Sequence, residues 1–133
     1  MRSEPVRIVL VEDDRVMQRA TSTLLRRWGF TVTLADNPGV ALLVIRTILP
    51  DLVLMDVGLP GANGFQVVER MRNQVLTRKI PVIFVTACDS PDAGERASHQ
   101  GAQALLQKPY DPRSLWQLIH NVLHRGSEPT SLI

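Results

Sequence analysis

Three acids, Glu12, Asp13 and Asp14, stand in a row directly after the apolar run Val6–Val11. A fourth, Asp56, closes the run beginning at Leu52 and is followed by the loop-forming residues Gly58, Pro60 and Gly61. Thr86 follows Ile80–Val85, and Lys108 follows the short stretch 103–106. Short apolar runs bounded by turn residues read as buried strands of a parallel sheet. Each of these polar groups then sits at a carboxyl end, the edge at which open α/β sheets bind ligands. Carboxylates brought together repel one another. A hard divalent cation relieves that repulsion, and Mg²⁺ takes oxygen ligands and commonly shares its site with a phosphate. A lysine opposite the acids adds a point charge suited to phosphate, and a threonine hydroxyl adds a neutral donor. Nucleophile, metal and cationic clamp are what phosphoryl transfer onto a carboxylate requires. Each residue alone also has an ordinary role. The acids could favour a helix start, Asp56 could cap a turn, Thr86 could bond its own turn, and Lys108 could be a surface lysine. Their joint placement on one sheet edge is what singles them out.

The elements that must position them alternate along the chain. The first strand, Val6–Val11, leads through Asp14, a helix cap, into a helix reaching about Trp28, with Met17, Ala20, Leu24 and Trp28 as its apolar stripe. Gly29 stops it. Phe30–Leu34 is the second strand. Asn37-Pro38 opens a helix through Val40, Leu43, Val44 and Ile48. Leu52–Met55 is the third strand, and the helix after Asn63 carries Phe65, Val68 and Met71. Ile80–Val85 is the fourth strand. A polar helix over 92–100 follows Ser90-Pro91 and has little apolar surface to hold it. The fifth strand spans about 103–106, and Asp111-Pro112 starts a last helix with Leu115, Leu118, Ile119 and Val122 facing the core. Five βα units predict an α/β fold: a flavodoxin-like (βα)5 doubly wound parallel sheet with strand order 2-1-3-4-5 and the first and third strands flanking the switch point.

Composition narrows the function classes. The 133 residues favour one domain, 44% of them are hydrophobic, and the net charge of +2 gives no basis for direct nucleic-acid binding. A single cysteine, Cys88, forbids an internal disulfide and suits a reducing, cytoplasmic setting. No apolar run is long enough for membrane insertion, and Met1–Pro5 has no signal-peptide core. Residues 1–125 read as one domain and 126–133 as a tail or the start of a linker. His99, His120 and His124 fall on predicted helices away from the acidic edge, with His120 and His124 taken as solvated.

The pieces Ile8-Val-Leu-Val-Glu-Asp-Asp14, Leu52-Val-Leu-Met-Asp-Val-Gly-Leu-Pro-Gly61, Asn63-Gly64-Phe65, Pro81-Val-Ile-Phe-Val-Thr-Ala87 and Lys108-Pro-Tyr110, in that order and spacing, closely resemble the receiver domain of bacterial two-component response regulators. The likeness covers about residues 6–125. It implies a signalling domain, not an enzyme, that accepts a phosphoryl group on Asp56 from a sensor histidine kinase or a histidine phosphotransfer protein. It implies Asp13 as a direct Mg²⁺ ligand with Glu12 nearby through water, the Gly58 backbone carbonyl and Asp56 as further ligands, and Thr86 and Lys108 as the groups facing the phosphoryl. It also implies a cis bond before Pro109. Its output surface would be the fourth helix, fifth strand and fifth helix, meeting a partner or a second copy.

Two features depart from the family pattern: the switch aromatic is missing, and no output domain follows residue 125, which reads as either a single-domain regulator or a receiver cut from a longer chain. The switch aromatic, three residues before the lysine, is Leu105 here, so the coupled movement of threonine and aromatic is muted. Gly58 and Cys88, two beyond Asp56 and Thr86, carry no side chain suited to orienting water, which favours slow self-dephosphorylation. Trp116 is placed one position off the core stripe, where it either extends the apolar output surface or edges the core. A phosphatase of the haloacid-dehalogenase type would need an acid at Gly58. A flavodoxin-like cofactor binder would need a phosphate-cradling loop where Glu12–Asp14 stand. A receiver that binds partners without phosphorylation is the remaining alternative.

Overall fold

The computed structural model describes residues 4–58, 64–86, 101–102 and 104–125. The strands are β1 (Arg7–Val11), β2 (Thr31–Ala35), β3 (Leu52–Asp56), β4 (Val82–Thr86) and β5 (Ala104–Gln107). The helices are α1 (Arg15–Arg27), α2 (Pro38–Ile48), α3 (Gly64–Arg72) and α4 (Pro112–Arg125). All strand pairs are parallel, in the order β2-β1-β3-β4-β5. The predicted helix over 92–100, with His99 and Cys88, lies outside the described residues.

The strand sequences explain why the sheet is covered on both faces. Successive side chains of a strand point to opposite sides. Val9, Val11, Val53, Met55, Val82 and Phe84 pack with α2 and α3 on one face. Ile8, Leu10, Leu52, Leu54 and Ile83 pack with Leu25 of α1 and with Leu115, Ile119 and Val122 of α4 on the other. Every residue of β3 and β4 is buried, as expected for central strands of a doubly wound sheet. Phe65 and Phe84 meet at 4.6 Å between ring centroids in the α2–α3 layer.

Two predicted helix stripes are corrected. In α1 the buried residues are Thr21, Ser22 and Leu25, while Ala20 is exposed and Met17, Leu24 and Trp28 are half-buried. Thr21 and Ser22 can be buried because their hydroxyls are satisfied: Ser22 Oγ donates to the Arg19 carbonyl at 3.2 Å, and Thr21 bonds Tyr110. In α2 the buried pair is Ala41 and Ile45, and Val40 and Leu43 are exposed. A helix apolar nearly all round does not reveal its inner face by hydrophobicity alone.

The caps follow the sequence. Asp14 Oδ1 accepts from the Val16 and Met17 amides at 2.9 and 3.1 Å, and Asn37 Oδ1 accepts from the Val40 amide at 2.9 Å. Gly29, at φ 95°, ends α1. Its amide donates to the Arg26 carbonyl and the Phe30 amide to the Leu25 carbonyl, the pairing of a Schellman cap.

Candidate functional site

Parallel register brings the polar strand ends together. Val11 pairs with Met55, so Glu12 and Asp56, one residue further along each strand, lie side by side. Asp56 pairs with Val85, which puts Thr86 one step beyond it. The β5 ladder continues past Gln107 through a 2.7 Å bond from the Lys108 amide to the Thr86 carbonyl. One oxygen from each of Glu12, Asp13 and Asp56 lies within 4.8 Å of the others. Glu12 and Asp56 are buried and Asp13 is exposed, so the cluster has a sheltered floor and one open side.

Lys108 supplies the positive charge. Its Nζ stands 2.8 Å from Glu12 Oε1 and 3.4 Å from Asp56 Oδ2. Glu12 Oε2 accepts from the Asp14 amide at 3.1 Å, and Asp56 Oδ1 accepts from the Gly58 amide at 3.0 Å. Burial pushes the Glu12 carboxyl above the ordinary glutamate value, and Asp56 adds to the shift while the bonds from Lys108 and the Asp14 amide oppose it. Burial pulls the Lys108 ammonium down, but its bond to Glu12 and the charges of Asp56 and Glu12 outweigh that, leaving its pKa raised.

Three neighbours of the cluster were not revealed by the site residues alone. Gly64, the first residue of α3, packs so tightly that a Cβ there would fall 2.4 Å from the Asp56 carbonyl oxygen and 2.7 Å from Met55 Cγ. Its place in Asn63-Gly64-Phe65 was the available signal. Gln18 Nε2 donates to the Glu12 carbonyl at 3.0 Å, with no signal beyond helical proximity. Tyr110 bonds Thr21 of α1, which its motif did not foretell. The Lys108–Pro109 peptide is cis. Leu105 is half-buried against the α2–α3 side of the core. Trp116 is 43% exposed and stacks on His120 at 3.9 Å between centroids, so His120 is half-buried, not fully solvated as expected.

The family model for the response regulator receiver domain matches residues 8–120. The chain belongs to the response regulator receiver family. It is 36% identical to Protein PilH of Pseudomonas aeruginosa over 117 residues, 88% of this chain and 97% of that protein. It is 31% identical to the phosphate regulon transcriptional regulatory protein PhoB of Escherichia coli, covering 91% of this chain but only 53% of PhoB. Among solved structures, a putative response regulator from Chloroflexus aurantiacus matches at 32% identity with a TM-score of 0.86, over 92% of this chain and all of that one. A CheY-like receiver domain protein from Methanospirillum hungatei matches at 28% identity with a TM-score of 0.87, covering 92% and 97%. The predicted architecture and strand order are those of this receiver fold, and its function is that of a receiver in two-component signalling. Among the described residues no helix is long and apolar enough to cross a membrane.

Proposed function

We propose that Asp56 is the phosphoacceptor of this receiver and that Lys108, Thr86, Glu12 and Asp13 serve the transfer. The observation that carries the reading is the placement of Asp56: at the end of a fully buried strand, beside the Lys108 ammonium at 3.4 Å, with two further acids in reach. A carboxylate oxygen of Asp56 attacks phosphorus, forming the O–P bond. The P–N bond of a kinase or phosphotransfer phosphohistidine, or the P–O bond of an acyl phosphate, breaks, and the leaving group takes its electron pair. The product is an acyl phosphate on Asp56.

The donor set fits Mg²⁺. All three side chains are hard oxygen ligands, and three carboxylates against one ammonium leave the cluster short of positive charge. Asp13, Asp56 and the Gly58 carbonyl would hold the ion directly, with Glu12 acting through water. When bound, Mg²⁺ supplies the charge that draws phosphoryl oxygens toward the acids. The protein's own residues do the rest. Burial and the Gly58 amide orient the Asp56 carboxylate, Glu12 keeps Lys108 directed into the site, and Thr86 at the end of β4 offers its hydroxyl. The receiver domain works in the cytoplasm.

Incubation of the protein with acetyl phosphate and Mg²⁺ is expected to add one phosphoryl mass, and Asp56→Asn is expected to add none. An unchanged mass in folded wild-type protein contradicts the reading. Because Asp13 would hold the ion directly and Glu12 through water, Asp13→Asn is expected to weaken Mg²⁺ binding more than Glu12→Gln in a metal titration. Equal affinities, unchanged from wild type, would overturn that assignment.

A further inference from the structure

Tyr110 stands two residues past Lys108 and reaches back to α1, which begins just after the acids. Its ring packs against the core layer of Ile8, Leu10, Leu115 and Ile119. A phenylalanine ring would fill the same apolar place, so the hydroxyl must answer to something else. That hydroxyl bonds Thr21 Oγ1, and Thr21 is only 3% exposed. A buried threonine hydroxyl needs a partner, and Tyr110 is the one this fold brings to it. Burial raises the Tyr110 pKa, with the Thr21 bond opposing the shift, so the phenol is neutral and can donate or accept in this pair.

The connection closes a ring around the site. Lys108 Nζ bonds Glu12 Oε1, and Glu12 Oε2 accepts from the amide of Asp14, the cap of α1. The next turns of α1 carry Thr21, Thr21 bonds Tyr110, and Tyr110 leads back along two residues to Lys108. The backbone of Lys108 is held to β4 on its other side by the bond to the Thr86 carbonyl. We propose that the Tyr110 hydroxyl, through Thr21, is a positioning group for Lys108, tethering the β5–α4 segment to α1 so that the ammonium spans Glu12 and Asp56. This rests on the reading of Asp56 as phosphoacceptor for its kinetic consequence, but the geometry it describes is open to test without phosphorylation.

The test uses Tyr110→Phe, Thr21→Val, their double variant and Thr21→Ser. Phosphorylation by acetyl phosphate with Mg²⁺ is followed by intact mass. In parallel, ¹³C-lysine-labelled protein without metal or phosphodonor is examined by NMR. The chain has two lysines, Lys79 and Lys108, so the Lys108 signal has an internal control. Tyr110→Phe and Thr21→Val are each expected to slow phosphorylation by about two- to tenfold, the factor one neutral hydrogen bond is worth. The double variant is expected to be no slower than either single one, because they remove the same bond. Thr21→Ser, which keeps the hydroxyl, restores the rate. The Lys108 signal shifts in Tyr110→Phe while that of Lys79 stays. A Lys108 signal that does not move, or single-variant rates equal to wild type, or effects that multiply in the double variant, would each overturn the tether. Wild-type protein that takes no phosphoryl group while the Lys108 signal still shifts would refute the phosphoacceptor reading and leave the tether standing.

Discussion

Glu12 shows how one buried side chain can set both the charge and the pH response of the site. It is 4% exposed, and its raised pKa means that the folded protein holds the proton to higher pH than the unfolded chain does. Stability therefore falls as pH rises from the ordinary glutamate range through the raised value. In metal-free protein this slope is expected in urea unfolding of wild type and expected to be reduced in Glu12→Gln; identical slopes would show that Glu12 is not its source. Gly64 acts by lacking a side chain. Its would-be Cβ meets backbone at the Asp56 carbonyl, and backbone cannot swing away as a flexible side chain can. Gly64→Ala is expected to cost about 1–3 kcal/mol, as overpacking does, and to slow phosphorylation because the displaced atoms belong to Asp56. A stability within about 0.5 kcal/mol of wild type, the range of inert surface changes, would contradict the contact. The placement of Glu12, Asp13, Asp56, Thr86 and Lys108 was legible in the sequence because Glu12, Asp56 and Thr86 close apolar runs at strand ends and Asp13 and Lys108 follow such runs at the second position. Gly64 and the Thr21–Tyr110 bond owe their importance to approach distances between distant segments, which spacing does not encode.

At the scale of elements, the strands were legible and the helix faces only partly so. A strand buried on both faces is a continuous apolar run, so Leu52–Met55 could be read as a buried strand without a partner in view. Helix α3 carried its apolar residues at the spacing of a single face, and Phe65, Val68 and Met71 are all buried. Helix α1 did not: its inner face is Thr21, Ser22 and Leu25, and hydrophobicity favoured residues beside it. Val16 is 78% exposed, with Arg15 and Arg19 beside it along the same surface groove. Two substitutions separate these faces. Leu25→Ala is expected to cost about 2–5 kcal/mol, the range for a buried leucine, whereas Val16→Ser is expected to stay within about 0.5 kcal/mol of wild type. Equal losses in chemical denaturation would contradict the burial of Leu25 and the exposure of Val16. The α1 cap is a smaller contributor: Asp14→Ala is expected to cost about 1 kcal/mol, since two amides lose their acceptor.

The whole molecule follows from one topological fact. Strand order β2-β1-β3-β4-β5 puts β1 and β3 side by side, and Glu12, Asp13, Asp56 and Lys108 meet at that edge from strands far apart in sequence. Two core layers, α2–α3 on one face and α1–α4 on the other, cover the sheet that carries that edge. The sequence revealed this arrangement because a strict βα alternation leaves few topologies open. It could not reveal how α1 is bonded to the segment between β5 and α4 within one of these layers, a matter of side-chain reach. The chain spans nearly all of PilH but about half of PhoB, so the receiver is the unit that these relatives share. The central claim is that this unit carries its phosphoryl group on Asp56. After reaction with acetyl phosphate and Mg²⁺, borohydride reduction converts an aspartyl phosphate to homoserine, and peptide sequencing by mass spectrometry locates it. The account predicts homoserine at position 56; homoserine at Asp13 or any other acid, with Asp56 intact, would contradict it.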